Sequence, residues 1–221
     1  MEARSLFYLT VILAILGITS LPVLAIGRSQ RYPTAAEIQQ LIRQFRQQAS
    51  TPAPEGSICC AGSERDLRSS ATRRVADSFV RAWSRVNPDI APFLGMWVSN
   101  NASVTVYPSN VRGRACVILF GNADNYEYFS TATFHQGHLR LNDGVLANRV
   151  LVRQRNQFGT PFLLSTGIYD RVPDFTIYID VLAYIRDRPA QVLSSPNSRD
   201  NSRIYQQFNA AGCTASLPNR R

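Results

Sequence analysis

The sequence predicts a mainly β domain, in which an antiparallel meander forms a small barrel or a strongly curved sheet after two amphipathic helices. Three observations lead to this prediction. Short runs of apolar and alternating residues follow one another from residue 95 to residue 185, separated by turn sequences. Two earlier stretches, near residues 34–48 and 64–86, repeat apolar residues at helical spacing. The composition, 45% hydrophobic and 18% charged, is typical of a globular chain.

Residues 1–25 are expected to be a signal peptide or a signal anchor. Arg4 precedes an uncharged run from Ser5 to Ile26, and Val23 and Ala25 suit the minus-three and minus-one positions of a cleavage site. The run is just long enough to span a bilayer if it stays uncleaved. After cleavage we expect an extracytoplasmic protein, secreted or periplasmic, with peripheral or no membrane association.

An oxidising compartment predicts disulfide bonds among the four cysteines. Adjacent cysteines fit disulfide geometry poorly, so Cys59 and Cys60 are each expected to pair with Cys116 or Cys213. Two of the three possible connectivities satisfy this expectation. Zinc sites usually space their thiolates by two to four residues, which argues against metal at Cys59-Cys60.

Residues 26–62 are predicted to hold the first helix and a Pro-rich linker. Thr34 and Glu37 have the spacing of a capping box at the start of this helix. One apolar stripe follows, formed by Ile38, Leu41, Ile42 and Phe45. The linker, residues 50–57, leaves two alternatives: the helix is a movable appendage, or it docks on the sheet.

Residues 63–221 are predicted to form a helix-capped antiparallel β domain with a disulfide-pinned C-terminal tail. The second helix places Phe79 and Trp83 on one face and ends at Asn87-Pro88. The first strand then opens with Gly95-Met96-Trp97. This tripeptide resembles the Gly-x-Trp of lipocalin-type barrels, which implies a tryptophan near one end of a barrel.

Two dipeptides, Gln136-Gly137 and Asp143-Gly144, predict two-residue hairpin loops, and such loops fix which side chains share a face. The first loop pairs His135 with His138. The second loop extends the same face along one long strand, Val145–Arg155. The polar face predicted in this way contains His135, His138, Arg140, Arg149, Arg153 and Arg155. The apolar face contains Ala132, Phe134, Leu139, Leu141, Leu146, Val150 and Val152.

The polar face is predicted to bind an anionic partner, with a solvated outer sheet face as the alternative. All 24 basic residues are arginine and the formal charge is +9. Arginine forms bidentate contacts with carboxylate, sulfate and phosphate, so an anionic glycan, a lipid surface or a protein partner is expected. Export argues against nucleic acid. The two imidazoles have no evident third ligand, so no metal site is predicted.

A second candidate site lies in the predicted interior. Asn148 falls on the apolar face, where a buried amide needs a hydrogen-bond partner. Trp97 would line the same pocket. Asp180 and Tyr178 share the minor face of the last long strand and form its best polar cluster. These four residues are the predicted contacts of a small ligand.

The sequence contains no motif that names a reaction. The G-x-S-x-G elbow, the phosphate-binding glycine loop and H-E-x-x-H are absent from it. The leading hypothesis is therefore an exported, non-enzymatic binding domain with a basic arginine face and no cofactor. The alternatives are a small-ligand carrier that uses a barrel interior and an enzyme on a helix-plus-curved-sheet scaffold.

Overall fold

The structure, a computed structural model, describes residues 28–50, 70–99, 102–121, 127–157, 159–169, 172–180 and 201–218. The predicted signal segment, Cys59, Cys60 and the expected end of the last strand, residues 181–185, lie outside the described residues. None of the helices in the described ranges is both long enough and apolar enough to cross a bilayer.

Three α-helices, two 3-10 helices and eight strands make up the described part of the chain. The α-helices are α1 (Ala35–Ser50), α2 (Ser70–Ser84) and α3 (Asn201–Ala210). The 3-10 helices are η1 (Ala91–Phe93) and η2 (Gly144–Leu146). The strands are β1 (Gly95–Val98), β2 (Ala102–Pro108), β3 (Arg114–Gly121), β4 (Glu127–His135), β5 (His138–Leu141), β6 (Val150–Arg155), β7 (Pro161–Tyr169) and β8 (Val172–Asp180).

The eight strands form a closed barrel in which each strand is antiparallel to the next along the chain. Two residue pairs between β1 and β8 complete the ring, Trp97 with Asp180 and Val98 with Ile179. The prediction of a mainly β, antiparallel meander is confirmed. An eight-stranded barrel has an interior just wide enough to be filled by side chains or by one small ligand.

The contacts of the helices identify the two faces of the barrel wall. Helix α1 packs through Phe45 against Phe162, with ring centroids 5.3 Å apart, and helix α3 packs through Phe208 against Tyr107 at 5.1 Å. Phe162 and Tyr107 therefore lie on the outer face. Because side chains alternate along each strand, Leu163 belongs to the inner face. Inner residues on five strands have no exposed surface, namely Val106, Ala115, Ala132, Leu139 and Leu163.

Helix η1 closes one end of the barrel. The ring of Phe93 meets Phe134 edge-on at 6.4 Å between centroids. The indole N–H of Trp97 donates to the carbonyl of Phe93 over 2.9 Å. Trp97, only 1% exposed, is therefore a core residue at the closed end.

The segment before α1, residues 28–34, straps the barrel wall from outside. The N–H of Gln30 donates to the carbonyl of Ile168 at 3.0 Å, and the N–H of Ile168 donates to Oγ of Ser29 at 2.8 Å. Strand β6 begins at Val150, opposite Thr166, so the strap supplies hydrogen bonds to β7 beyond the reach of β6. Helix α1 continues from this strap and docks on the sheet, as one of the two alternatives expected.

The predicted capping box is present at the start of α1. The backbone N–H of Thr34 donates to Oε2 of Glu37 at 2.7 Å, and the N–H of Glu37 donates to Oγ1 of Thr34 at 3.3 Å. Each residue thus satisfies a backbone donor that the first helical turn leaves open.

The predicted disulfide pairing is wrong for Cys116 and Cys213, which bond to each other. Their Cα atoms are 6.0 Å apart, a normal separation for a disulfide. The chain after α3 returns to the outer wall, where Cys213 forms a β-bridge with Ser109 beside β2. This return brings Cys213 to Cys116 on β3, and sequence spacing alone does not reveal it.

The first hairpin prediction is confirmed and the second is wrong. Gln136 and Gly137 form a two-residue loop with φ of 47° and 86°, and His135 pairs with His138. Asp143-Gly144 does not form a hairpin loop. The Asp143 carboxylate instead accepts the N–H of Thr131 at 2.8 Å, and the chain continues into η2. Because this connection is longer than two residues, β6 begins only at Val150. Its pairing with β5 is therefore shifted from the predicted register.

Candidate anion-binding face of the barrel wall

The shifted register separates the arginines that were predicted to share a face. Arg140 pairs with Val150 and lies on the outer wall. Arg153 pairs with Leu163 and therefore occupies an inner position. Arg155 is two residues after Arg153 and has the same inner position by alternation. It ends β6, and its guanidinium donates to the carbonyl of Gly159 at 2.6 Å.

Arg149 lies in the turn before β6 rather than in a strand. Its backbone N–H donates to the carbonyl of Leu146 at 3.2 Å, and the residue is half-buried. Leu146 itself is buried beside the inner residues of the core. Of the four predicted arginines, the structure therefore leaves Arg140 with the two histidines on the outer face.

A different arginine completes a row with Arg140. Arg114 at the start of β3 pairs with Thr133 of β4, and Thr133 pairs with Arg140 of β5. Neighbouring strands are about 5 Å apart, so the two arginine Cα atoms are separated by about 10 Å. Thr133 is exposed and both arginines are half-buried. We call Arg114, Thr133 and Arg140 the arginine row.

Tyr32 of the strap holds Arg140 in place. The guanidinium carbon of Arg140 lies 5.0 Å from the centre of the Tyr32 ring, within the range of a cation–π contact. The Tyr32 hydroxyl donates to the carbonyl of Leu141 at 2.8 Å. Burial raises the pKa of Tyr32, so the phenol is neutral at pH 7 and its hydroxyl keeps the proton that it donates to Leu141.

Among the described residues, no carboxylate forms an ion pair with Arg114 or Arg140 of the arginine row. Arg31, by contrast, binds Glu37 at 2.7 Å. The nearby Asp143 carboxylate accepts its hydrogen bonds from the backbone and the hydroxyl of Thr131. Two guanidinium groups and a hydroxyl on one partly exposed row are donors suited to an oxyanion.

The histidine pair forms the next row toward the closed end of the barrel. The rings of His135 and His138 are edge-to-face, with centroids 5.6 Å apart. His138 is 6% exposed and its Nδ1 lies 3.3 Å from the carbonyl of Gln136. Burial lowers the pKa of His138, and Arg140 and His135 add to this effect, while the hydrogen bond with the Gln136 carbonyl opposes it. His138 is therefore mainly neutral at pH 7.

Three of the four predicted ligand contacts meet at neighbouring register positions. Asp180 pairs with Trp97, and Tyr178 pairs with Leu163, which in turn pairs with Arg153. By strand register, the positions of Asp180 and Tyr178 on β8 belong to the same face of the sheet as the position of Trp97.

Asn148 is not part of that set. It lies in the turn after η2 with φ of 65°, a left-handed conformation that asparagine tolerates. Its amide nitrogen donates to the carbonyl of Ser29 at 3.0 Å. The amide that the sequence placed on the apolar face therefore binds the strap.

Two residues of the candidate site, Arg114 and Tyr32, were missed from the sequence. The alternation of β3 puts Arg114 on the face of Cys116, but the connection between β3 and β4 has no short-turn signature to set their register. Tyr32 is far from Arg140 along the chain, and no local pattern links the two. Only the docking of α1 brings the strap across β5.

Searches against protein-family models, curated proteins and solved structures found no match to this chain, so the geometry alone supports any functional proposal.

Proposed function

We propose that the chain is an exported, non-enzymatic binding domain whose arginine row holds anionic groups of envelope material or of a protein partner. The observation that supports this proposal is the direct cross-strand alignment of Arg114, Thr133 and Arg140. Sulfated or uronic-acid glycans, phospholipid headgroups and acidic protein segments all present the oxyanions that such a row would accept.

The arrangement favours an anion over bulk water for two reasons. The cation–π contact with Tyr32 restricts Arg140 before binding, so less side-chain entropy is lost when a ligand arrives. The half-buried position of both arginines also weakens solvent screening of their charge. A rim of mobile, fully exposed arginines would lack both advantages.

The proposal is tested by binding of heparin fragments and of vesicles that contain phosphatidylglycerol. Replacing Arg114 and Arg140 with Gln removes both guanidinium groups without changing the backbone. Because a hydrogen bond to a charged group contributes about 1.5–3 kcal/mol, each substitution should weaken binding by about tenfold or more. Isothermal titration calorimetry and vesicle flotation measure the effect for the two classes of anion.

A matched control is Arg43→Gln, which removes an exposed arginine of α1 that is not part of the row. It lowers the net charge by the same amount as either single variant, and we expect it to leave binding nearly unchanged. If the double variant R114Q/R140Q binds both probes as tightly as the wild type, the arginine row is not the site. Binding that does not weaken with added salt would also count against it.

A second candidate function is a small-ligand carrier that uses the barrel interior. The register of Trp97 with Asp180, and of Leu163 with both Arg153 and Tyr178, favours this alternative. It predicts that Asp180→Asn and Tyr178→Phe weaken uptake of a fluorescent apolar probe while R114Q/R140Q does not. The two functions are thus distinguished by which pair of variants loses binding.

A further inference from the structure

The only two histidines of the 221-residue chain are direct cross-strand partners. They flank the two-residue loop at Gln136-Gly137, so a short and well-defined turn holds their backbones in place. The ring contact, with centroids 5.6 Å apart, shows that the side chains meet as well.

Hydrogen bonding selects one tautomer of His138. A carbonyl oxygen can only accept, so the contact of Nδ1 with the carbonyl of Gln136 places the proton on Nδ1. In the neutral ring, Nε2 then carries the lone pair that a metal ion needs. A backbone carbonyl bound to the other ring nitrogen is also the usual support of a metal-ligating histidine.

The Nε2 atom of His138 is buried and has no hydrogen-bond partner. A buried acceptor without a partner is costly, by about 1–3 kcal/mol, and native proteins contain few of them. His138 as a whole is more than nine-tenths buried. The structure therefore contains an imidazole nitrogen that is ready to accept a bond and lacks one.

The distance between the ring centres lies in the range of a bridging ion, but the edge-to-face contact means that one ring must turn to aim a nitrogen at the ion. With a metal–nitrogen bond of about 2.0–2.1 Å, the ion lies about 3.2 Å from the centre of each ring. Two centroids are then about 4.5 Å apart at a right angle and about 6.4 Å apart in a linear arrangement. The observed 5.6 Å lies inside this interval. His135 is half-exposed, which gives its ring room to turn toward the ion.

We propose that His135 and His138 form a binding site for a divalent transition-metal ion, with Cu²⁺ preferred. Imidazole suits copper, nickel and zinc, and copper(II) is the strongest binder of the three to nitrogen ligands. Water completes the coordination from the side of the half-exposed His135, because no cluster of three or more His, Cys, Asp or Glu residues able to hold a metal occurs among the described residues.

The neighbouring Arg140 repels a cation, which makes the site weaker than one with three protein ligands. The site does not depend on anion binding by the arginine row, since its ligands are the two imidazoles alone.

The test uses the full chain without a polyhistidine tag and with any free thiol alkylated, so that neither tag histidines nor cysteines bind the metal. Titration with CuCl₂, followed by calorimetry and by electron paramagnetic resonance, should show one equivalent of Cu²⁺ with coupling to two imidazole nitrogens. ZnCl₂ and NiCl₂ should bind the same site more weakly.

His135→Ala is the deciding variant, because a half-exposed position tolerates truncation. It should weaken Cu²⁺ binding by at least about tenfold, a loss of 1.4 kcal/mol or more, and remove one nitrogen from the spectrum. Arg43→Ala, at an exposed position of α1 that belongs to neither proposed site, is the control and should bind as the wild type. Absence of a Cu²⁺ complex in the wild type, or an unchanged affinity and spectrum in His135→Ala, would overturn the proposal.

Discussion

Glu37 joins Arg31 and Thr34 at the beginning of α1. Both terminal nitrogens of Arg31 donate to its carboxylate, at 2.8 and 2.7 Å, and so does the backbone N–H of Thr34, at 2.7 Å. The hydrogen bonds from Arg31, followed by the one from Thr34, lower the pKa of Glu37 to about 2. The carboxylate thus stays ionised in the folded protein over most of the acid range.

This lowered pKa predicts a pH-dependent stability. Because the folded-state pKa lies below the usual value of 4.5, Glu37 contributes its full stabilisation above about pH 4.5. The contribution is lost as the pH falls through about 2. Glu37→Ala should lower the free energy of unfolding by about 1 kcal/mol at pH 7, as loss of a helix cap does. Urea unfolding at pH 7 and at pH 2 measures the difference.

Glu37→Gln separates the two parts of this effect. Gln keeps an oxygen that accepts the Thr34 N–H but loses the charge that binds Arg31, so it should cost less than Ala at pH 7. A loss in Glu37→Ala that stays the same from pH 7 to pH 2 would show that the ionised carboxylate is not responsible.

At the residue scale, the sequence predicted the contacts that form between near neighbours in the chain. The capping box of Thr34 and Glu37 and the facing histidines at Gln136-Gly137 depend on neighbours along the chain. The partners of Asn148 and Arg140 do not. Asn148 binds Ser29 and Arg140 stacks on Tyr32, and both contacts exist only after the strap crosses the barrel wall.

Helix α1 is the element whose role the sequence left open. Phe45 has no exposed surface and packs on Phe162 of β7, within a cluster separate from the main core. Val150 and Val152 of β6 belong to the same cluster. The apolar stripe of α1 therefore binds the outer wall of β6 and β7.

Truncation of Phe45 tests how much this docking stabilises the fold. Phe45→Ala removes a fully buried ring and should lower the free energy of unfolding by about 3–5 kcal/mol. Denaturant unfolding measures the loss, and Arg43→Ala, at an exposed position of the same helix, should change stability by less than about 0.5 kcal/mol. Equal stability of Phe45→Ala and the wild type would mean that α1 is a movable appendage.

The register of β6 shows why one element escaped prediction. Asp143-Gly144 is a strong hairpin signal when only neighbours in sequence are considered. In the protein, Ser130 and Thr131 on β4 bind the segment instead, with Oγ of Ser130 accepting the N–H of Asn142 at 3.1 Å and of Asp143 at 2.9 Å. A cross-strand network of this kind cannot be seen in a local turn pattern, and it moves Arg153 and Arg155 off the face of Arg140.

At the scale of the whole molecule, the disulfide ties β3 to the segment after α3. Cys116 and Cys213 are 97 residues apart in sequence. A bridge that closes a loop of this size is expected to stabilise the fold by up to about 4–5 kcal/mol. Replacing both residues with Ala should therefore lower the urea midpoint substantially, which circular dichroism measures.

Peptide mapping checks the pairing directly. Trypsin cleaves after arginine, so the oxidised protein should release peptide 115–140 joined to peptide 204–220. Peptide 47–65, which holds Cys59 and Cys60, should be absent from that product. A product joining peptide 47–65 to either of the others would restore the pairing expected from the sequence.

The barrel as a whole was predictable because strand spacing, turn residues and alternation agree over a long stretch of chain. What surrounds the barrel was not. The strap, α1 and α3 reach the wall through contacts between distant parts of the sequence, such as Gln30 with Ile168 and Phe208 with Tyr107. The candidate anion-binding face could not be predicted in full for the same reason. The contact that holds Arg140 comes from Tyr32 of the strap, which is distant in sequence.

The bond between Cys116 and Cys213 also has a consequence for biosynthesis. Position 213 follows every strand of the barrel and all three helices, so a nascent chain cannot form this bond until all of them have been synthesised. A chain interrupted before residue 213 would lack this bond, so the Cys116–Cys213 disulfide marks chains whose synthesis has passed every described strand and helix.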